Sequence, residues 1–117
     1  MVAPARGEIW WVDFDPVTGR EQAARGPALV VSADTFNQGP RGLVIVLPMT
    51  RTQRPYTFHV EVQPDDSGLD VTSYIMCEQI RSVSRERFLN ATTAGRVRPN
   101  VLAEVEDRLR ALLHLPQ

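Results

Sequence analysis

Apolar residues recur along the chain at two periods, and the change between them divides it into a long first part and a terminal helix. From Gly7 to Phe14, Ile9 and Trp11 point one way while Trp10, Val12 and Phe14 point the other; with two tryptophans and a β-branched valine this predicts a strand. Asp15 to Gly19 is a turn, since Pro16 fixes φ and Gly19 accepts a positive one, and the loop continues through Arg20–Arg25. Pro27–Ser32 and Leu43–Leu47 are short apolar runs rich in β-branched residues, the mark of buried central strands. Between them Asp34–Gln38 makes one helical turn before the Gly39–Gly42 turn. Phe58, Val60 and Val62 alternate with His59 and Glu61, a half-buried strand. Val71–Met76 and Glu78–Val83 are two further strands, with Ser67 and Gly68 among the turn residues before them. Then the period changes. Val101, Val105, Leu109 and Leu112, joined by Leu102 and Leu113, form a stripe at 3–4 spacing with Pro99 near the first turn, and Glu104 with Arg108 and Glu106 with Arg110 are i,i+4 pairs on the wet side.

Five to seven short strands followed by one helix predict a small mainly β, one-domain α+β fold: a barrel or curled sheet with the C-terminal amphipathic helix packed on it. No segment between strands is long enough for the crossover helix of a parallel βαβ unit. With 117 residues, 43% of them hydrophobic, one core suffices and residues 1–117 are expected to form a single domain. Cys77 is the only cysteine, so an internal disulfide is impossible, a reducing compartment is the simplest expectation, and Cys77 itself is expected to be a buried small hydrophobe. The longest wholly apolar run is Leu43–Leu47, too short for a signal peptide or a membrane span, so a cytoplasmic location is expected.

The formal net charge of −1 by itself neither favours nor excludes nucleic acid, but the placement of charge is uneven. All thirteen basic residues are arginine. Arg20 and Arg25, Arg51 and Arg54, and Arg81, Arg85 and Arg87 fall in or beside loops, while Glu61, Asp65, Asp66 and Asp70 form an arginine-free acidic stretch. A nearly neutral chain can still present a basic face.

Metal chemistry finds no motif, because His59, His114 and Cys77 match no ligand spacing; His114 in the helix's last turn suits an interaction with the dipole. There is no glycine-rich phosphate loop and no nucleophile elbow, so no cofactor is implied. What remains is arginines, carboxylates and hydroxyls on loops between rigid strands, a set suited to reactions at phosphorus. RNA carries its own nucleophile, the 2′-OH, so an enzyme need only align it, take its proton and stabilise the phosphorane charge, which the planar arginine fork does well.

Four blocks then carry a resemblance: Gly7-Glu8-Ile9-Trp10-Trp11-Val12-Asp13-Phe14-Asp15-Pro16 with Gly19-Arg20-Glu21-Gln22, Pro27-Ala28-Leu29-Val30-Val31, Leu47-Pro48-Met49-Thr50, and Cys77-Glu78-Gln79-Ile80-Arg81-Ser82-Val83. In this order they resemble the MazF/PemK family of toxin endoribonucleases, and the match runs through the terminal helix. The resemblance implies an SH3-like barrel forming a homodimer, and metal-independent, sequence-selective cleavage of single-stranded RNA to 2′,3′-cyclic phosphate and 5′-hydroxyl ends. It also implies a cognate antitoxin whose disordered tail covers the RNA groove. Thr50 matches the family threonine that helps hold the scissile phosphate. The family's arginine directly precedes the proline of the second strand; here Gly26 stands there and Arg25 one place earlier, a shift that turns a strand residue to the opposite face. Either Gly26 lets the strand bend and re-aim Arg25, or Arg54 or Arg81 supplies the charge. Glu78 keeps the family's late acidic position, as a general-base candidate, while Met76 stands where some members carry an arginine.

Most of the remaining candidates for RNA contact have a plainer alternative. Arg20 is a further RNA-contact candidate in the first loop, and Glu21 and Gln22 either close against the barrel and shape that loop or are solvated. Arg51 and Arg54 reach phosphate or water, Gln79 reads a base edge or bonds a sheet edge, and Arg81 binds phosphate or pairs with a carboxylate. Tyr56 is the stacking candidate, whereas Trp10 and Trp11 are both expected in the core. Two other functions compete: a protein-targeting toxin of the gyrase-poison kind on the same fold, and a non-catalytic RNA-binding module.

Overall fold

The computed structural model describes residues 3–14 and 25–117. Among these residues seven strands run β1 (Glu8–Asp13), β2 (Arg25–Val30), β3 (Leu43–Thr50), β4 (His59–Val62), β5 (Ser73–Met76), β6 (Arg81–Ser84) and β7 (Gly95–Arg96). The same described residues form helices α1 (Asp34–Asn37), α2 (Pro64–Ser67) and α3 (Pro99–Leu112). Every strand pairing is antiparallel, in the order β4-β5-β3-β2-β1-β7, with β6 also on β3. β3 is the long shared strand: its first half pairs β6 and its last two residues pair β5. The turn expected at 15–19, together with Arg20, Glu21 and Gln22, lies outside the described residues.

The central strands are apolar at both parities because both faces of the sheet are covered. Ile9, Leu29, Leu47 and Met49 join Val60, Val62, Ile75 and Cys77 in one cluster, closed by Val97 just before α3 and by Val101 and Val105 within it. The opposite parity, Trp10, Val12, Phe14, Ala28, Val30, Val44 and Val46, joins Val83 and Phe88 in a second. Trp10 sits edge-on to Phe88, centroids 5.7 Å apart, and its indole N–H donates to Glu8 at 3.0 Å.

Several expectations need correction. Glu78–Val83 is not one strand: Cys77–Gln79 forms a 3-10 turn and β6 starts at Arg81. Three short pieces were not anticipated, α2, β7 and the 3-10 turn Arg85–Arg87, each too short to show a period. The helix pairs also differ. Arg108 donates to the Thr57 carbonyl at 2.8 Å, Arg110 to Asp107 at 2.8 Å, and Glu106 accepts from Arg6. An i,i+4 surface pair contributes only about 0.2–0.5 kcal/mol, so a tertiary partner displaces it for Arg108 and Glu106 and an i,i+3 neighbour for Arg110. The acidic stretch is likewise met in space, by Arg98, 3.1 Å from Asp66 and donating to the Asp65 carbonyl at 3.1 Å. His114 lies past the helix end at φ 55°, with Leu115 N–H donating to the Arg110 carbonyl at 2.8 Å, a left-handed cap.

Gly95 marks the tightest approach: a Cβ there would lie 2.2 Å from the Ser67 carbonyl oxygen. The obstacle is backbone, so α2 and β7 would have to separate. Gly95→Ala is expected to destabilise the fold by about 1–3 kcal/mol, read as a lower midpoint in urea unfolding.

Candidate active site

Thr50 ends β3, where the ladder to β5 holds it opposite Tyr74 and its hydroxyl accepts the Thr52 N–H at 3.1 Å. The local turn bond and an outward role coexist, because Thr50 also lines a cavity of about 240 Å³. Trp11 and Pro27, directly opposed across β1 and β2, form part of its wall; Met49, Leu69, Val71 and Ala94 add apolar surface, and Arg51, Asp70 and Ser73 polar groups.

Arg25 is exposed at the start of β2 with Asp13 as its register partner. By strand alternation it shares the face of Pro27, and hence of the cavity wall, whereas Gly26 pairs with Val12 and is buried. The one-residue shift therefore puts Arg25 on the cavity face with Pro27 and Met49, whereas the same alternation gives Thr50, two residues on from Pro48 opposite Ala28, the face of Gly26.

The other candidates divide. Arg51 joins the cavity; Arg54 and Tyr56 do not, and lie in the exposed segment 51–57. Tyr56 packs on Phe58 and His59, both at 5.1 Å between centroids. Glu78, Gln79 and Arg81 line a separate surface depression with Ile80. There the His59 ring bonds the Glu78 carboxylate at 3.1 Å, and the Arg81 guanidinium lies 5.4 Å over the Phe14 ring. The His59 side chain is only 4% exposed, contrary to the outward position that alternation gave it. Arg20, Glu21 and Gln22 fall in the undescribed segment.

Trp11 corrects the expectation that both tryptophans are core: Trp10 is 4% exposed and Trp11 37%. The alternation already set them on opposite faces, but only the β1–β2 register shows that the Trp11 face opens on the cavity. Asp70, Val71, Ser73 and Ala94 were not anticipated there, since only the tertiary fold brings their loops to β3.

Cys77 is fully buried, and burial, followed by the Glu78 charge and opposed by Arg108, pushes its thiol up to about 12. The thiolate is the reactive form, so iodoacetamide at pH 8 is expected to leave native protein unlabelled and to label it fully in denaturant, as read by mass spectrometry. Among the described residues no group of three or more His, Cys, Asp or Glu converges, and no helix is long and apolar enough to cross a membrane.

A curled antiparallel sheet with a terminal helix and a cavity at the end of its shared strand defines the class, and comparison places the chain within it. The chain belongs to the family of PemK-like, MazF-like toxins of type II toxin–antitoxin systems, whose model matches residues 5–113. It is 40% identical over 115 residues to endoribonuclease MazF9 of Mycobacterium tuberculosis, covering 94% of each chain. It is 32% identical over 110 residues to the endoribonuclease toxin MazF of Escherichia coli, again covering 94% of each. The crystal structure of MazF from Deinococcus radiodurans superposes with a TM-score of 0.81 at 34% identity, covering 96% of this chain and 97% of that one. A MazE–MazF structure from the same organism gives 0.77 at 30%, covering 97% and 98%.

Proposed function

We propose that this toxin is an endoribonuclease that cuts single-stranded RNA sequence-selectively and without metal, using the RNA's own 2′-OH. The observation that carries this is Thr50: a hydroxyl held at the end of a rigid strand by the Thr52 N–H, on a residue that borders a largely apolar cavity together with Arg51. The 2′-oxygen attacks phosphorus, the P–O5′ bond breaks, and a 2′,3′-cyclic phosphate and a 5′-hydroxyl result. Thr50 donates to a non-bridging oxygen, and Arg25, exposed at the first residue of β2, reaches round the strand end to neutralise the developing charge.

Glu78 shares its depression with Gln79 and Arg81, which we assign to flanking RNA along with Arg54, Tyr56, Arg20, Glu21 and Gln22. Glu78 takes the 2′-OH proton only if RNA brings that hydroxyl to it. Glu78→Gln separates the roles: lost cutting with RNA binding kept marks proton transfer, and lost binding marks a contact. The named endoribonucleases among the relatives support a nuclease over a gyrase-poison-like toxin or a non-catalytic module.

The MazE–MazF complex of the relative supports a cognate antitoxin, which we propose covers the site with a disordered tail. A homodimer is supported by Leu112, Leu113 and Leu115, which are 44–54% exposed at the end of α3. The test is incubation of purified protein with single-stranded RNA in EDTA, beside the same RNA annealed to its complement. Cutting of the single strand alone supports the proposal; no cutting of several long RNAs contradicts it.

A further inference from the structure

We propose that the Thr50 cavity holds one nucleobase, stacked on Trp11 and read by Asp70, which admits bases bearing an exocyclic amine and rejects uracil. This rests on the nuclease reading of the same site and names a specificity residue within it. At about 240 Å³ the cavity is smaller than the roughly 300–1,000 Å³ of sites for drug-sized ligands, a size that suits one base. Its lining is mostly apolar, with Trp11 presenting an exposed ring on one wall. A flat aromatic ligand fits that surface, and stacking on an aromatic side chain tolerates any base.

Discrimination comes from the polar groups. Among the described residues the Asp70 carboxylate, the Arg51 guanidinium and the Trp11 indole N–H make no hydrogen bond or ion pair, so all three remain open to a ligand. The Ser73 hydroxyl, by contrast, is engaged with the Val71 carbonyl at 3.2 Å. An ionised carboxylate only accepts, so Asp70 calls for a donor. Adenine, cytosine and guanine each offer an exocyclic amine, which a carboxylate accepts as it does from cytosine N4. Uracil offers one ring N–H flanked by two carbonyl oxygens, which face the carboxylate as acceptor against acceptor. Arg51 supplies the complementary donor for a ring nitrogen or carbonyl beside the amine.

The test binds a randomised hexamer RNA pool with 2′-fluoro sugars, which cannot be cut, to immobilised protein and sequences what is retained; a parallel pool with free 2′-OH reads cutting. Wild type is expected to deplete uracil at one position by about tenfold, and Asp70→Asn, at an exposed position, to abolish that depletion while retaining RNA. Retention without base bias, a bias that admits uracil, or the same depletion in Asp70→Asn overturns the inference. Uracil depletion from the uncuttable pool that Asp70→Asn abolishes, without cutting of the free-hydroxyl pool, would support the inference and overturn the nuclease reading.

Discussion

Thr50→Ala is expected to cut single-stranded RNA at least about a hundredfold more slowly than wild type, the scale of removing one donor to a developing oxyanion. Its stability should fall by only about 0.5–1.5 kcal/mol, since the substitution removes one hydrogen bond, from the Thr52 N–H, at a partly exposed strand end. Thr50→Ser keeps the hydroxyl and should keep most of the activity. Single-turnover cleavage beside urea unfolding checks the pair. A slow enzyme with wild-type folding supports the role, and near-normal cutting by Thr50→Ala removes it.

Arg25→Ala is expected to lose about a hundredfold or more in the same assay, because a charge-assisted fork on phosphate acts where negative charge develops. Arg25→Lys should remain impaired, since an ammonium cannot make two parallel bonds to one phosphate. Arg25 is exposed and its removal leaves no buried partner, so folding should be unaffected. Arg54→Ala and Arg81→Ala are the controls. Cutting by Arg25→Ala together with none by Arg54→Ala would move the catalytic charge to the 51–57 segment.

Much of the fold was legible because period and burial agree. The runs around Leu29 and Val46 are apolar at both parities, and the sheet is covered on both faces; the stripe through Val101 and Val105 is the buried side of α3. The end of that stripe misleads, since Leu112 and Leu113 are exposed. Short pieces such as β7 leave no periodic trace; Gly95 is required there by a carbonyl far away in sequence. At the site, Thr50 could be named from its block, but its neighbours could not. Trp11 joins Pro27 through strand register, and Asp70 arrives on a loop after α2. Glu78 shows the converse: a sequence block placed it with Thr50, and the fold gives its carboxylate to His59.

The most direct test of the central claim uses one defined RNA that wild type cuts in EDTA, remade with a single 2′-deoxy sugar on the 5′ side of the cleaved bond. The account predicts a 2′,3′-cyclic phosphate from the all-ribose RNA and no cut at that bond in the substituted one. Cleavage of the 2′-deoxy substrate at the same bond would contradict it, because the nucleophile would then not be the RNA's own hydroxyl.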